Sequence, residues 1–292
     1  MPLVHVFLAL IVTVIWGLSF VVIKLGVGTT PPLLLASLRF FFAALPAVFF
    51  IPRPQTSWRI LAGYGFFLGV AQFGLLFAAI ALGMPASLAS VVMQAQVFFT
   101  ILFAAIAMGE RPGPHQIVGG LVACFGLVLI AWPRLSGGGA GPFLMTVAAA
   151  AAWGVANIVS KKAGRVDMLG FVVWASLIPP LPLLAFSLML DGPDRVMAAL
   201  SHVNGGTVGA VAYLAYPTTI FAFAVWSFLL SRYPAATVTP FALLVPVAGI
   251  LGSALILGET MHPIEAIGGA VIVLGLAVNV FGIRVMRRLR AV

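Results

Sequence analysis

The chain has 292 residues, of which 63% are hydrophobic and 7% charged, with a formal net charge of +9. A soluble domain carries about 25% charged residues, so this composition excludes one and belongs in a bilayer. All the cations but one sit at block ends, in short loops or at the C-terminal tail, which speaks against nucleic acid as the partner.

A spanning helix needs roughly 20 mainly apolar residues. Gly, Pro and charge divide the sequence into apolar blocks at 4–24, 31–51, 60–82, 86–108, 114–132, 142–161, 168–190, 208–231, 236–257 and 263–284. The expected fold is an all-α membrane protein with ten transmembrane helices. The runs are too long for strands and do not alternate.

The first block is too long for a signal peptide, lacks a basic leading region and has no convincing cleavage site, so it is expected to remain as a helix. Thr13, Trp16, Phe20 and Lys24 fall on one face of it at spacings of three to four. In the second span Arg39 is the only formal charge well inside a block, about 12 Å deep at about 1.5 Å per residue. It either holds a substrate carboxylate or is a structural residue bonded to backbone carbonyls at a kink. The third span carries Gln72, with Gly65 and Gly69 allowing a close helix contact. Gln94 and Gln96 of the fourth span are two apart and so point in nearly opposite directions. Gln94 continues the Ser87, Ser90 stripe and is the preferred cavity residue.

The fifth span holds the single cysteine, Cys124, which permits no intrachain disulfide, and Gly119 and Gly120 as packing residues. A Gly-rich connection, 136–141, flanked by Pro133 and Pro142, separates a first half, 1–135, from a second, 142–292. In the sixth span Thr146, Ala150, Trp153, Asn157 and Lys161 repeat the stripe of the first. Trp commonly marks the membrane interface, as Trp58 and Trp132 do at span ends. Trp16 and Trp153 lie nearer the middle, where an indole N–H wants an internal partner. They line a substrate cavity or pack helices together. Tyr213, Tyr216 and Thr219 of the eighth span can hydrogen-bond a substrate's polar end or a neighbouring helix. Gly268 and Gly269 supply close contacts in the tenth. Pro46, Pro179, Pro180, Pro182, Pro217, Pro240 and Pro246 predict kinks or local unwinding.

With the N-terminus inside, eleven Lys and Arg lie on the cytoplasmic side (Arg53, Arg59, Arg111, Lys161, Lys162, Arg165, Arg232, Arg284, Arg287, Arg288 and Arg290) and three outside (Lys24, Arg134 and Arg195). This bias predicts both termini in the cytoplasm. The tail Arg284 to Arg290 is expected beside anionic headgroups.

Two features repeat. Gly109-Glu110, Gly119-Gly120 and Gly126 recur as Gly258-Glu259, Gly268-Gly269 and Gly275 at an offset of 149, and residues 85–127 share 13 of 43 positions with 234–276. Trp16-Gly17 and Lys24 recur as Trp153-Gly154 and Lys161 at an offset of 137, so the second half carries a 12-residue insertion. Gly, Pro and a rare Glu among the matches mark a duplication. Each half has five spans, an odd number, so the two run in opposite directions. This is the inverted-repeat plan of secondary transporters, with the substrate site near the midplane.

The paired Gly-Glu motifs, His115-Gln116 and Glu265 after them, the Trp-Gly openings and Arg39-Phe40 make the whole chain resemble the EamA-type branch of the drug/metabolite transporter superfamily. It is most similar to the bacterial aromatic amino acid exporters. The resemblance implies a secondary carrier exporting aromatic and other neutral amino acids, without cofactor or metal. Its candidate substrate residues are Trp16, Phe20, Gln72, Gln94, Trp153, Asn157, Tyr213 and Tyr216. Arg39 leans toward a structural role, because the matching region Trp174 to Ser176 has no charge. Glu110 and Glu259, at span ends, are read as hinge or gate residues that serve the following helix start or pair with a cation. A monomer is expected.

No Asp or Glu lies in the membrane core, where proton-coupled carriers commonly keep one, so a facilitator is the working expectation. Carriers of other metabolites or drugs are the first rival, and a pore is the rival of another class. The histidines, His5, His115, His202 and His262, lie at span ends or in loops and cannot assemble an intramembrane hydrolase. No Gly-Lys-Ser/Thr phosphate loop is present for an ATP-driven pump.

Overall fold

The computed structural model describes residues 1–136, 139–164, 166–233 and 235–289, and the side chains of 136, 235, 236 and 283–289 are left aside. The expected linker residues Gly137 and Gly138, together with Arg165, Pro234 and Arg290, lie outside the described residues, as do the side chains of Arg284, Arg287 and Arg288.

Among the described residues, ten helices are long and apolar enough to cross a membrane: Leu3–Val27, Pro32–Phe49, Trp58–Ala81, Ala86–Met108, Pro114–Leu135, Ala140–Lys161, Met168–Leu190, Gly205–Arg232, Thr239–Leu257 and Pro263–Gly282. No strand occurs among these residues. Helix extends through Ser136 and resumes at Ala140, so the connection between the halves is shorter than the expected 136–141.

Backbone geometry explains the repeated punctuation. Gly109 and Gly258 end the fourth and ninth spans at φ of 67° and 65°, left-handed values that a side chain disfavours. The next N–H then turns back onto the helix, Glu110 to the Ala104 carbonyl and Glu259 to the Ser253 carbonyl. Gln116 and Glu265 are also repeat mates. Each accepts a hydrogen bond from the backbone N–H three residues before it, Gly113 at 2.8 Å and His262 at 3.2 Å, and so caps the following helix.

The inverted symmetry is visible in the glycine contacts. A Cβ on Gly119 would stand 2.6 Å from the Gly275 carbonyl oxygen, and one on Gly126 would stand 2.7 Å from that of Gly268. Exchanging the halves turns the first contact into the second, as a two-fold axis between the fifth and tenth spans requires. The Trp-Gly openings behave alike. Gly17 brings the first span onto the ninth, where a Cβ would lie 2.7 Å from the Val245 carbonyl. Gly154 brings the sixth span onto the fourth, 3.1 Å from the Thr100 nitrogen. The second half has a short extra helix of nine residues, Pro193–Ser201, between the seventh and eighth spans, where its 12-residue excess falls.

Several prolines sit at interruptions as expected. Pro46 precedes a 3-10 turn, Pro179 and Pro180 lie where the seventh span breaks, Pro217 is in the π-helical turn Tyr216–Phe221, and Pro240 is in the 3-10 turn Thr239–Leu243. Three interruptions have no proline to announce them, a π-helical stretch at Gly65–Phe73, a 3-10 turn at Met93–Ala95 and a π-helical turn at Ser253–Leu257. The first two are repeat mates of proline-marked ones. Pro182 and Pro246 lie within α-helix.

Candidate functional site

The irregular turns bring polar groups together. Trp16 of the first span donates its Nε1–H to the Thr218 carbonyl at 3.1 Å, inside the π-helical turn of the eighth span, where widened backbone geometry leaves carbonyls free. Its ring meets Phe223 and Trp226, with centroids 5.6 and 5.2 Å away. Tyr213 donates its hydroxyl to the Ile15 carbonyl, one residue before Trp16.

Arg39 reaches the same turn from the second span. It is 2% exposed, its Nη2 donates to Thr219 Oγ1 at 3.3 Å, and its guanidinium carbon lies 3.8 Å from the centre of the Phe73 ring. Its Nε and Nη1 have no hydrogen-bond partner, and no carboxylate pairs with it among the described residues. The backbone carbonyls that a structural role called for are not engaged. Gln72, beside Phe73 in the third span, is 1% exposed and leaves its Oε1 unpaired, and Thr218 Oγ1 is unpaired as well. Unsatisfied polar atoms this deep are costly. Here donors and acceptors are left over in adjoining elements.

A second cluster joins the fourth and sixth spans. Asn157 donates to Gln96 Oε1 and to Thr100 Oγ1, each at 3.0 Å. Gln94 points the other way and donates to the Ala242 carbonyl at 3.4 Å, tying the 3-10 turn of the fourth span to that of the ninth. Trp153 is half-buried and packs against the two largest apolar clusters.

Of the predicted residues, Trp16 and Tyr213 meet where the first and eighth spans join, Asn157 bonds to Gln96 and Thr100, and Gln94 and Trp153 make contacts outside these groups. Phe20 is 8% exposed inside the main core, and Tyr216 is 41% exposed, without a hydrogen bond or ring contact to the others. Phe223, Trp226 and Thr218 were missed by sequence reasoning. Thr219, Phe223 and Trp226 follow a helical spacing of four and three, which is the signal that could have found the two aromatics.

Two clefts of about 770 and 690 Å³ open at the ends of the spans away from the first span's start. Neither is lined by a predicted substrate residue. One lies beside Asp191, Arg195 and His202, the other beside the Arg134–Glu265 ion pair. Arg39, Gln72, Thr218 and Thr219 are buried, whereas Trp16, Gln96, Thr100 and Asn157 are half-buried. Among the described residues no three His, Cys, Asp or Glu come together as a metal site would need.

At the span ends, Glu110 forms an ion pair with Lys161. Glu259 does not serve the helix that follows it. Its carboxylate accepts from the backbone N–H groups of Ala86 and Ser87, each at 3.0 Å, and from the Ser87 hydroxyl at 2.8 Å, capping the fourth span of the other half. Glu265, already the cap of its own helix, makes it unnecessary there.

A family profile described as the EamA-like transporter family matches residues 3–132 and 141–281. A protein of Salmonella typhimurium named "Probable amino-acid metabolite efflux pump" is 43% identical over 290 residues, covering 97% of each chain. A protein of the same name from Escherichia coli is 43% identical over 95% of each. At 27% identity, a "Probable terminal-alkyne amino-acid exporter" of Streptantibioticus cattleyicolor aligns with 91% of this chain and 90% of its own. A crystal structure 22% identical in sequence has the same fold, with a TM-score of 0.59 over 96% of this chain and 98% of that one.

Proposed function

Because the chain belongs to the EamA-like transporter family and is a multi-pass membrane transporter, we propose that it exports neutral amino acids, aromatic ones included, from the bacterial cytoplasm by alternating access. The observation that carries this reading is Arg39, a buried guanidinium with two unpaired nitrogens and no carboxylate of its own. A substrate carboxylate would complete it. The unpaired Gln72 Oε1 and Thr218 Oγ1 offer acceptors for an ammonium, and Trp16, Phe223 and Trp226 offer faces for an apolar side chain. The excess of cations at the first span's start favours that side as cytoplasmic, in an inner membrane.

Counterflow in liposomes tests the reading. Saturable exchange is expected for amino acids with apolar side chains, and their carboxamides should be carried poorly, because a neutral amide cannot neutralise Arg39. Equal flux of acid and amide overturns the assignment, and flux that never saturates makes the protein a pore. None of the six acidic residues lies deeper than the first turn of a span. An imposed proton gradient without a substrate gradient is therefore expected to drive no accumulation. Trp16→Ala and Trp153→Ala should each lower the counterflow rate about tenfold, equivalent to about 1.4 kcal/mol, with the protein still monodisperse. Undiminished rates would remove both from the site.

A further inference from the structure

The two halves are related by an inverted repeat, yet their span-end contacts differ. In the first half Glu110 is paired with Lys161. Its repeat mate Glu259 is instead clasped to the start of the fourth span, and Lys24, the mate of Lys161, is not with it. Lys24 Nζ donates to the Ile80 carbonyl at 3.3 Å. Applying the sequence offsets to these contacts generates a second arrangement. Glu259 would pair with Lys24, and Glu110 would accept from the backbone N–H groups of Ala235 and Ala236, the mates of Ala86 and Ser87.

We propose that these are the two ends of one switch, in which each glutamate alternates between a lysine and the backbone start of the opposite half's spanning segment. The inference rests on the alternating-access reading above. With the first span starting in the cytoplasm, Glu259 ties the outer ends of the ninth and fourth spans together in this structure, while Glu110, held by Lys161, leaves the inner clasp unmade. Transport reverses the pairings. The Gly-Glu motif suits the task. A left-handed glycine ends each helix abruptly, and the following glutamate projects beyond the helix end, from where its side chain can reach either partner.

The exchange is weighted. The outer clasp has three hydrogen bonds, because Ser87 adds its hydroxyl to the two N–H groups. Position 236 is alanine, so the inner clasp has at most two. The outer-closed arrangement is accordingly the resting one. A like-for-like pair of clasps would have set the two states level.

Distances between spin labels test this without reference to flux. In a Cys124→Ser background, Leu82→Cys with Thr260→Cys reports the outer mouth and Arg111→Cys with Ser231→Cys the inner, all at exposed positions. Glu259→Ala should lengthen the outer distance and shorten the inner, raising the switched population about tenfold for the loss of one charged cap. Ser87→Ala should shift it the same way by less. Glu110→Ala should leave the outer mouth closed, because it removes the clasp of the other state. Should Glu259→Ala fail to fold, Glu259→Gln, which keeps one acceptor, is expected to give an intermediate shift. Unchanged distances in the folded Glu259 variant, or outer opening in Glu110→Ala, overturn the proposal. Absence of amino acid flux in the unaltered protein would remove the substrate reading and leave these distance shifts in place.

Discussion

Gly119→Ala, Gly126→Ala, Gly268→Ala and Gly275→Ala are each expected to destabilise the protein sharply, whereas Gly120→Ala and Gly269→Ala leave it folded. The sequence presents two Gly-Gly pairs that look interchangeable. In the structure one member of each pair faces the opposing backbone. A methyl on Gly119, Gly126, Gly268 or Gly275 would stand 2.6 to 2.8 Å from a carbonyl oxygen of the partner helix. No side-chain rotation relieves a clash with backbone, so the helices must part. Overpacking of this kind costs about 1–3 kcal/mol, and more where the surroundings cannot give. Lipid tails are as apolar as the side chains they would replace, so this contact has no hydrophobic substitute. On Gly120 the new methyl would be 3.5 Å from Phe98 Cδ1, and on Gly269 it would be 3.4 Å from Val91 Cγ1, ordinary contacts with flexible side chains. There the loss of a helical glycine adds up to about 1 kcal/mol of stability. Thermal unfolding of purified protein in detergent reads the difference. Equal losses within each Gly-Gly pair would show that the two-fold contact is not what holds the fifth and tenth spans together.

The fold was legible because its signals are cumulative. Apolar length fixes the spans, glycine and proline fix their ends, and an odd number per half fixes the inversion. The site was legible only in part, because a helical wheel assumes regular helix. Gly65–Phe73 and Met93–Ala95 depart from it without a proline, so the directions of Gln72 and Gln94 could not be read from spacing alone. Partners from the other half are equally invisible in one stretch of sequence. The expectation for Glu259 is the following helix start or a cation, but that start is already capped by Glu265, and the carboxylate crosses to Ala86 and Ser87. The repeat itself carried that information. Glutamates 149 residues apart, in halves that face each other inverted, are placed to act on each other's helices.

Arg39→Met is expected to leave the protein folded and to reduce amino acid counterflow at least thirtyfold, the lower end of the about 2–5 kcal/mol that removing one partner of a buried charge pair costs. The two halves of that expectation have separate causes. In the substrate-free protein Arg39 holds a buried charge with two unpaired nitrogens, and replacing such a charge with an apolar chain of similar length is often neutral or stabilising. Thr219, its one hydrogen-bond partner, keeps its bond to the Leu214 carbonyl at 2.9 Å and is not orphaned by the change. A structural arginine would behave otherwise. Its loss would lower the melting temperature and leave the preference for a carboxylate over a carboxamide intact. Arg39→Lys separates charge from shape. An ammonium keeps the charge but loses the planar fork and the stacking over Phe73 at 3.8 Å, so partial transport with a weakened preference for the carboxylate is expected. If Arg39→Met instead transports acid and amide in the same ratio as the unaltered protein, the carboxylate is bound elsewhere, and the unpaired guanidinium is a cost the fold carries for its packing against Phe40 and Phe73.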